Sequence, residues 1–367
     1  MLLVNPVSER SGSSASLLTL VRGLAADHAW EVHVALPEAG WLGSRLAVVG
    51  VATHAIDHPR LSSRSGLADQ LRYLARFRAA AAAFGRLCDA VRPDLVHCNS
   101  TVSPFALLAA RRRGIPAVVH CREVPDNRFV RGLLWRFVAT HAAAVIANSR
   151  FTASSFPNPA RVRVVYNGFE FPPAPPGPAG TKRIAVVGRL SADKGADNAL
   201  LAFARVLRAE PDARLDIAGG AISGHERFLE RMERLAASEP LRSRATLHGE
   251  EENVAAFLSQ ADLLLHLPRF REPFGRVIVE AAAQGLPTVA FACGGIPEIV
   301  DDGRSGFLVP HGDLDGAADR CVHLLRDHGL AARMGAEARR SAEQRFPVTA
   351  YVAGVGGVYR SVLAARR

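Results

Sequence analysis

Phe171-Pro172-Pro173-Ala174-Pro175-Pro176-Gly177-Pro178-Ala179-Gly180 puts five prolines in ten residues and divides a chain that otherwise alternates strands and helices. Proline lacks an amide hydrogen and locks its own backbone, so the stretch is neither helix nor central strand; residues 171–181 read as a semi-rigid linker. Before it, the apolar runs Leu2–Val4, Val32–Leu36, Leu95–Cys98, Ala117–His120 and Ala144–Ala147 predict strands, and 14–26, 67–91, 103–113 and 129–141 have helical spacing. After it the alternation restarts. Strands are expected at Arg183–Val187, Arg214–Ala218, Ala245–Leu247, Leu263–Leu267 and Thr288–Ala292. Helices are expected over 196–209, 225–237, 252–259, 275–284, 313–327 and 330–344. Apolar strands without period-2 alternation, separated by helices, argue for parallel sheets covered on both faces. The expected fold class is α/β: two Rossmann-like, doubly wound parallel-sheet domains, 1–170 and 182–347, facing a cleft. Ligands in such sheets bind outside the carboxyl ends of the strands.

Composition narrows the function. The 367 residues are 49% hydrophobic and 22% charged, which excludes disorder and fibrous repeats. No apolar run reaches the roughly 18 residues of a membrane span, and Met1 leads into Leu2-Leu3-Val4 without a basic leader, so a cytoplasmic chain is expected. Five cysteines form no CxxC pair, which disfavours a zinc site or a disulfide framework. The net charge of +10 is uneven: residues 1–170 carry 20 basic and 11 acidic side chains, residues 171–367 carry 25 and 24. The first half therefore attracts anions, but charge alone does not imply nucleic acid, and none is expected as a partner. GxGxxG at a strand–helix turn, GxxxxGK[ST], HExxH and GxSxG are all missing, which disfavours dinucleotide and P-loop chemistry.

The chemistry concentrates in Arg271-Glu272-Pro273-Phe274-Gly275-Arg276-Val277-Ile278-Val279-Glu280, running on to Gly285-Leu286-Pro287. Pro273 suits a first helical turn and Gly285 a helix stop. The amides around Phe274, Gly275, Arg276 and Val277 would then form an anion site, with Glu272 before it and Glu280 after it. Two carboxylates flanking an anion site suit a sugar nucleotide, whose diphosphate lies between two hydroxyl-bearing ends. Two Glu eight residues apart also occur on any solvated helix face.

Three segments carry a resemblance. Arg271–Gly285, Gly294-Gly295-Ile296-Pro297-Glu298-Ile299-Val300 and Asp302–Pro310 resemble the C-terminal half of the family 4 retaining glycosyltransferases. Val187-Gly188-Arg189-Leu190-Ser191-Ala192-Asp193-Lys194-Gly195 is similar to an earlier signature of that family, and Tyr166-Asn167-Gly168 to its interdomain motif. The resemblance implies a GT-B fold whose second domain binds a nucleotide-sugar donor, with helix 348–367 packing back onto the first domain. It implies Glu272 at the donor-sugar hydroxyls, Glu280 at the ribose, and Arg189 and Lys194 at the diphosphate. A departing diphosphate needs its charge stabilised, which agrees with that assignment; the other reading is a solvated basic loop. Gly294 and Gly295 either approach the donor or make a tight turn.

In the first domain the resemblance implies that His120, at a strand end, meets the donor sugar, with Arg122 and Glu123 as acceptor contacts. A lone strand-end histidine is more often structural. Gly12 stands where the family often carries paired glycines, and is a diphosphate candidate although Glu9-Arg10-Ser11-Gly12-Ser13-Ser14 departs from that pattern. The expectation is a retaining glycosyltransferase using a nucleoside diphosphate sugar, UDP-sugar by preference, without metal or other cofactor. Its acceptor would be a hydroxyl on a glycan, a lipid-linked molecule or a natural product. The alternatives are a GT-B phosphorylase, a pseudo-glycosyltransferase, or a catalytically silent binding subunit. Two basic-aromatic stretches, Arg72–Arg78 and Arg128–Phe137, either lie on the inner face of an anionic membrane or pack on the core.

Overall fold

The computed structural model describes residues 1–27, 29–59, 67–173, 178, 180–220 and 225–366, with side chains omitted over 67–72. The central residues of the proline stretch, 174–177 and 179, and Ala221–Gly224 lie outside the described residues. The chain divides into two units, Met1–Gly168 with Val348–Arg367, and Phe169–Pro347.

Unit 1 contains β1 (Leu2–Val4), α1 (Gly12–Ala26), β2 (His33–Leu36), α2 (Gly40–Val48), β3 (Ala52–Ala55), α3 (Leu67–Val91), β4 (Val96–Cys98), α4 (Pro104–Arg112), β5 (Ala117–Cys121), α5 (Arg128–His141), β6 (Ala144–Ala147), α6 (Arg150–Ser154) and β7 (Val162–Val164). Its seven strands are all parallel, in the order β3-β2-β1-β4-β5-β6-β7. Successive residues point to opposite faces, so Leu2 and Val4 join one apolar core and Leu3 the other. Capping side chains set the helix starts: Ser11 Oγ accepts from Ser14 N (3.1 Å) and opens α1, and Asn127 Oδ1 accepts from the Phe129 and Val130 amides and opens α5.

Unit 2 contains β8 (Arg183–Val187), α7 (Ala196–Ala209), β9 (Arg214–Ala218), α8 (Glu226–Ala236), β10 (Ala245–Gly249), α9 (Val254–Leu258), β11 (Leu263–His266), α10 (Arg276–Ala283), β12 (Thr288–Phe291), β13 (Gly306–Val309), α11 (Leu314–Arg326) and α12 (His328–Arg345). Its six-stranded parallel sheet runs β10-β9-β8-β11-β12-β13. Strand order reverses between β1 and β4 in unit 1 and between β8 and β11 in unit 2. Such switch points are where open parallel sheets bind ligands.

The last helix, α13 (Val348–Ala364), belongs to unit 1, where Tyr351, Val355 and Tyr359 are fully buried beside α1. Burying each such side chain contributes about 1.5–3 kcal/mol, enough to hold the helix there. Three edge strands, β3, β7 and β13, and helices α2 and α6 escape the sequence reading, because each is short. The helix after Arg271 also differs from expectation. It starts at Arg276, capped by Gly275 at φ +101°, so Pro273 lies in the preceding loop and not in the first turn. All five cysteines are buried free thiols. None of the described helices is long and apolar enough to cross a membrane.

Candidate active site

In unit 2, the loops after β8 and β11 meet at the switch point. Gly188 and Arg189 follow β8, and a single 3-10 turn, Ala192–Lys194, leads into α7. Gly195 links the two at φ +67°, and a Cβ there would collide with the carbonyl of Leu267. That close approach, which only glycine permits, brings the Lys194 loop against the end of β11. Lys194 Nζ consequently donates to Glu272 Oε2 at 2.7 Å, across 78 residues of sequence.

Glu272 has an environment that keeps it charged. Its side chain is 11% exposed, and burial alone would raise its pKa. The Lys194 ammonium, and His266 Nε2 3.7 Å from the same oxygen, outweigh burial and hold the carboxyl well below the usual carboxylate range. His266 ends β11 and is buried, and its Nε2 has no hydrogen-bond partner among the described residues. Sequence reasoning missed it, although a lone histidine inside the apolar run Leu263–Leu267 was a visible signal.

The loop holding Glu272 is clamped from behind by the paired glycines. Gly294 sits at φ +61°, and a Cβ on it would meet the Glu272 peptide. A Cβ on Gly295 would press on Pro273 O and Phe274 Cα, while Gly295 N donates to Glu272 O at 2.7 Å. Packing against the Glu272 loop therefore accounts for both glycines.

Beyond the loop, Phe274 turns its ring into the interior against Phe169 and Phe346, leaving only its backbone for a ligand. α10 has no side-chain cap, so its first turn, with Arg276 and Val277, retains the character of an anion site. Arg276 stacks over Phe169 at 4.5 Å and donates to Glu280 Oε1 at 3.2 Å. Glu280 thus has a cationic neighbour. Arg189 is more than half exposed and 3.6 Å from Asp193, an exposed pair that restrains it little.

Unit 1 assembles a separate polar network at the carboxyl ends of β4 and β5. Arg122 is its hub: Nε donates to Asn99 Oδ1 (2.8 Å), Nη1 to Asn167 Oδ1 (2.5 Å), and Nη2 to Tyr351 Oη (2.8 Å) and His120 Nδ1 (3.3 Å). Glu123 accepts from Ser100 Oγ (2.5 Å), Thr101 Oγ1 (2.6 Å) and Thr101 N (2.8 Å). Both side chains, read from sequence as acceptor contacts, are half-buried and tie loops together. Gly12 is exposed at the first residue of α1, beside the Ser11 cap.

His120 is fully buried. Because a guanidinium only donates, its bond to Nδ1 fixes the neutral tautomer with the proton on Nε2, which has no partner among the described residues. The ring stacks edge-on with His97, itself bonded to Tyr359 Oη at 2.8 Å. Burial, then Arg122, then His97 hold His120 well below the usual imidazole range; burial and Arg122 bring His97 to about 3.

A pH dependence follows. The unfolded chain binds these two protons near pH 6.5 and the folded chain does not, so stability falls as pH drops below that value. By pH 5.5 each histidine should cost roughly 1.4 kcal/mol. Urea unfolding at pH 7.5 and 5.5 measures it. A double substitution His97→Asn with His120→Asn should flatten the difference, and equal pH dependence in both proteins would contradict the assignment.

Comparison with known proteins agrees with this architecture. Residues 170–341 match the model of glycosyl transferases group 1, and residues 11–168 that of the glycosyl transferase 4-like domain. The chain is 30% identical to glycogen synthase of Mycobacterium tuberculosis over 297 residues, covering 75% of this chain and 70% of that one. It is 35% identical to N-acetyl-alpha-D-glucosaminyl L-malate synthase of Bacillus anthracis over 170 residues, 46% of this chain and 43% of the relative's length. Among solved structures, Anabaena Alr3699/HepE in complex with UDP-glucose superposes with a TM-score of 0.84 at 21% identity, covering 98% and 99% of the two chains. Sucrose-phosphate synthase from Thermosynechococcus elongatus superposes with a TM-score of 0.81 at 20% identity, covering 99% of each chain. At such identities the likeness establishes the fold.

Proposed function

The chain belongs to the family 4 glycosyltransferases of the GT-B fold, and from that premise we propose that it moves a sugar from a nucleoside diphosphate, UDP by preference, to an acceptor hydroxyl with retention of anomeric configuration. The observation that carries the reading is the Lys194–Glu272 pair, 2.7 Å apart at the β8/β11 switch point. Without ligand, the ammonium neutralises a buried carboxylate. A donor diphosphate offers the same ammonium a more highly charged partner. As Lys194 turns to it, Glu272 is left ionised and ready to accept hydrogen bonds from sugar hydroxyls, with His266 still beside it.

Arg189 and the first turn of α10 would add to the field on the diphosphate, and Glu280 would take ribose hydroxyls. UDP is favoured because the Anabaena structures with this fold were solved with UDP and UDP-glucose. In the step itself, the bond from the anomeric carbon to the diphosphate oxygen breaks through an oxocarbenium-like state. The acceptor oxygen bonds to that carbon on the same face, and its proton passes to the departing diphosphate. The cations that stabilise this leaving group are side chains, so the reaction is expected to run without metal.

Thermal shifts with UDP, GDP, dTDP and ADP, with and without magnesium, test the donor site. A ligand at 100 times its dissociation constant adds about 2.7 kcal/mol of stability. One nucleotide raising the melting temperature without magnesium is the expected result; silence from all four would remove the proposal. Lys194→Ala should weaken nucleoside diphosphate by roughly 30-fold or more while leaving the bare nucleoside within about threefold, in line with the loss of one charge-assisted contact. Equal losses for both would exclude a diphosphate role. The anomeric configuration of the product, read by NMR coupling constants, tests retention.

A further inference from the structure

Helix α5 carries apolar side chains on two opposite sides. Trp135 and Val138 are fully buried and define its inner face. At 100° per residue, Phe129 and Leu133 project roughly 160° away from that direction. They are 75% and 56% exposed, and neighbouring Val130 is 51% exposed. Of the eight exposed large hydrophobics among the described residues, three fall within these five positions, so they form a patch and not scatter.

The surroundings of the patch are basic. Arg128, Arg131 and Arg136 lie on the same helix, which contains no acidic residue; at 100° per residue Arg136 falls about 40° from the Phe129–Leu133 direction, and Arg128 and Arg131 fall on the Trp135 side. Arg131 donates to the Pro125 carbonyl, which leaves its charge uncompensated, and no ion pair among the described residues involves any of the three. Residues 1–170 as a whole carry the +9 surplus. A second copy of the chain is a poor occupant, because docking α5 on α5 would set Arg136 near its counterpart with no acidic residue on either helix to offset it. A folded protein partner generally needs about 800 Å² of matching surface, more than three side chains provide. An anionic bilayer matches both halves of the pattern: headgroup phosphates for the guanidiniums, and the headgroup–acyl boundary for Phe129 and Leu133.

We infer that the outer face of α5 docks the protein on a membrane surface containing anionic lipid. Phe129, Val130 and Leu133 enter the interface, and Arg136 sits at the phosphate level. This rests on the geometry of unit 1 and stands whether or not the donor reading of unit 2 holds.

Flotation of the full chain with vesicles tests it. With vesicles of phosphatidylcholine containing about one third phosphatidylglycerol, at low salt, the protein should float; with phosphatidylcholine alone, or in high salt, partitioning should drop at least tenfold. F129S with L133S, at two positions more than half exposed, should lower partitioning on the anionic vesicles by at least about tenfold. R136Q should lower it by roughly fivefold while leaving the melting temperature unchanged. Failure of the wild-type chain to float with anionic vesicles would overturn the inference, as would equal flotation of F129S/L133S. A concentration-dependent doubling of mass that F129S/L133S abolishes would reassign the patch to self-association and also overturn it.

Discussion

Glu272→Ala should lower turnover by about 10³-fold or more while nucleoside diphosphate still binds within roughly threefold of the wild-type affinity. The carboxylate sits 2.7 Å from Lys194 and is held ionised by it and by His266 despite burial. Removing it deletes the proposed acceptor for sugar hydroxyls, but it also frees Lys194, so affinity for the diphosphate should rise if it changes at all. Isothermal titration with UDP separates the two effects from steady-state turnover. Glu272→Gln, which keeps the shape and loses the charge, should recover binding geometry without recovering more than a small part of the rate. Near-normal turnover in either variant would remove Glu272 from the mechanism.

Gly294→Ala should destabilise unit 2 by about 3 kcal/mol and lower its melting temperature by roughly 6–12 °C. Gly294 adopts φ +61°, where an L-residue is strained, and its added methyl would collide with the Glu272 peptide, backbone that cannot swing aside as a side chain can. Relief requires the Glu272 loop to move, so transfer activity should fall by roughly 10²-fold even at temperatures where the variant is folded. Gly303→Ala is the control: its φ is +73° but nothing stands within 4 Å of its Cβ position. It should therefore show the strain alone, about 1 kcal/mol, with activity intact. Equal effects at the two positions would mean that backbone strain, and not the packed Glu272 loop, is what Gly294 protects.

Much of this was legible in the sequence. Strands such as Leu263–Leu267 and Thr288–Ala292, apolar on both faces, can only be covered on both sides, which forces helices above and below a parallel sheet. Edge strands carry no such signal; β3 is largely exposed, and its Ala52-Thr53-His54-Ala55 reads as loop. Arg271–Pro287 stood out by residue type and spacing, and Val187–Gly195 by its resemblance to a signature of the family. One role read from them changed on packing: Pro273 precedes the helix it was expected to start.

By itself, then, the sequence determined two parallel α/β sheets and the identity of the charged groups near their carboxyl ends, because periodicity and local chemistry are properties of neighbours along the chain. Which groups meet depends on how the chain packs. Lys194 reaches Glu272 because Gly195 lets one loop rest on the Leu267 carbonyl. Arg122 and Glu123, exposed-looking charges beside a strand end, spend their hydrogen bonds on Asn99, Asn167, Tyr351 and the Ser100–Thr101 loop. Phe129 and Leu133 became a surface only when Trp135 and Val138 claimed the other side of α5. Hydrogen-bond partners and the inward side of a helix are set through space, across separations that no local pattern encodes.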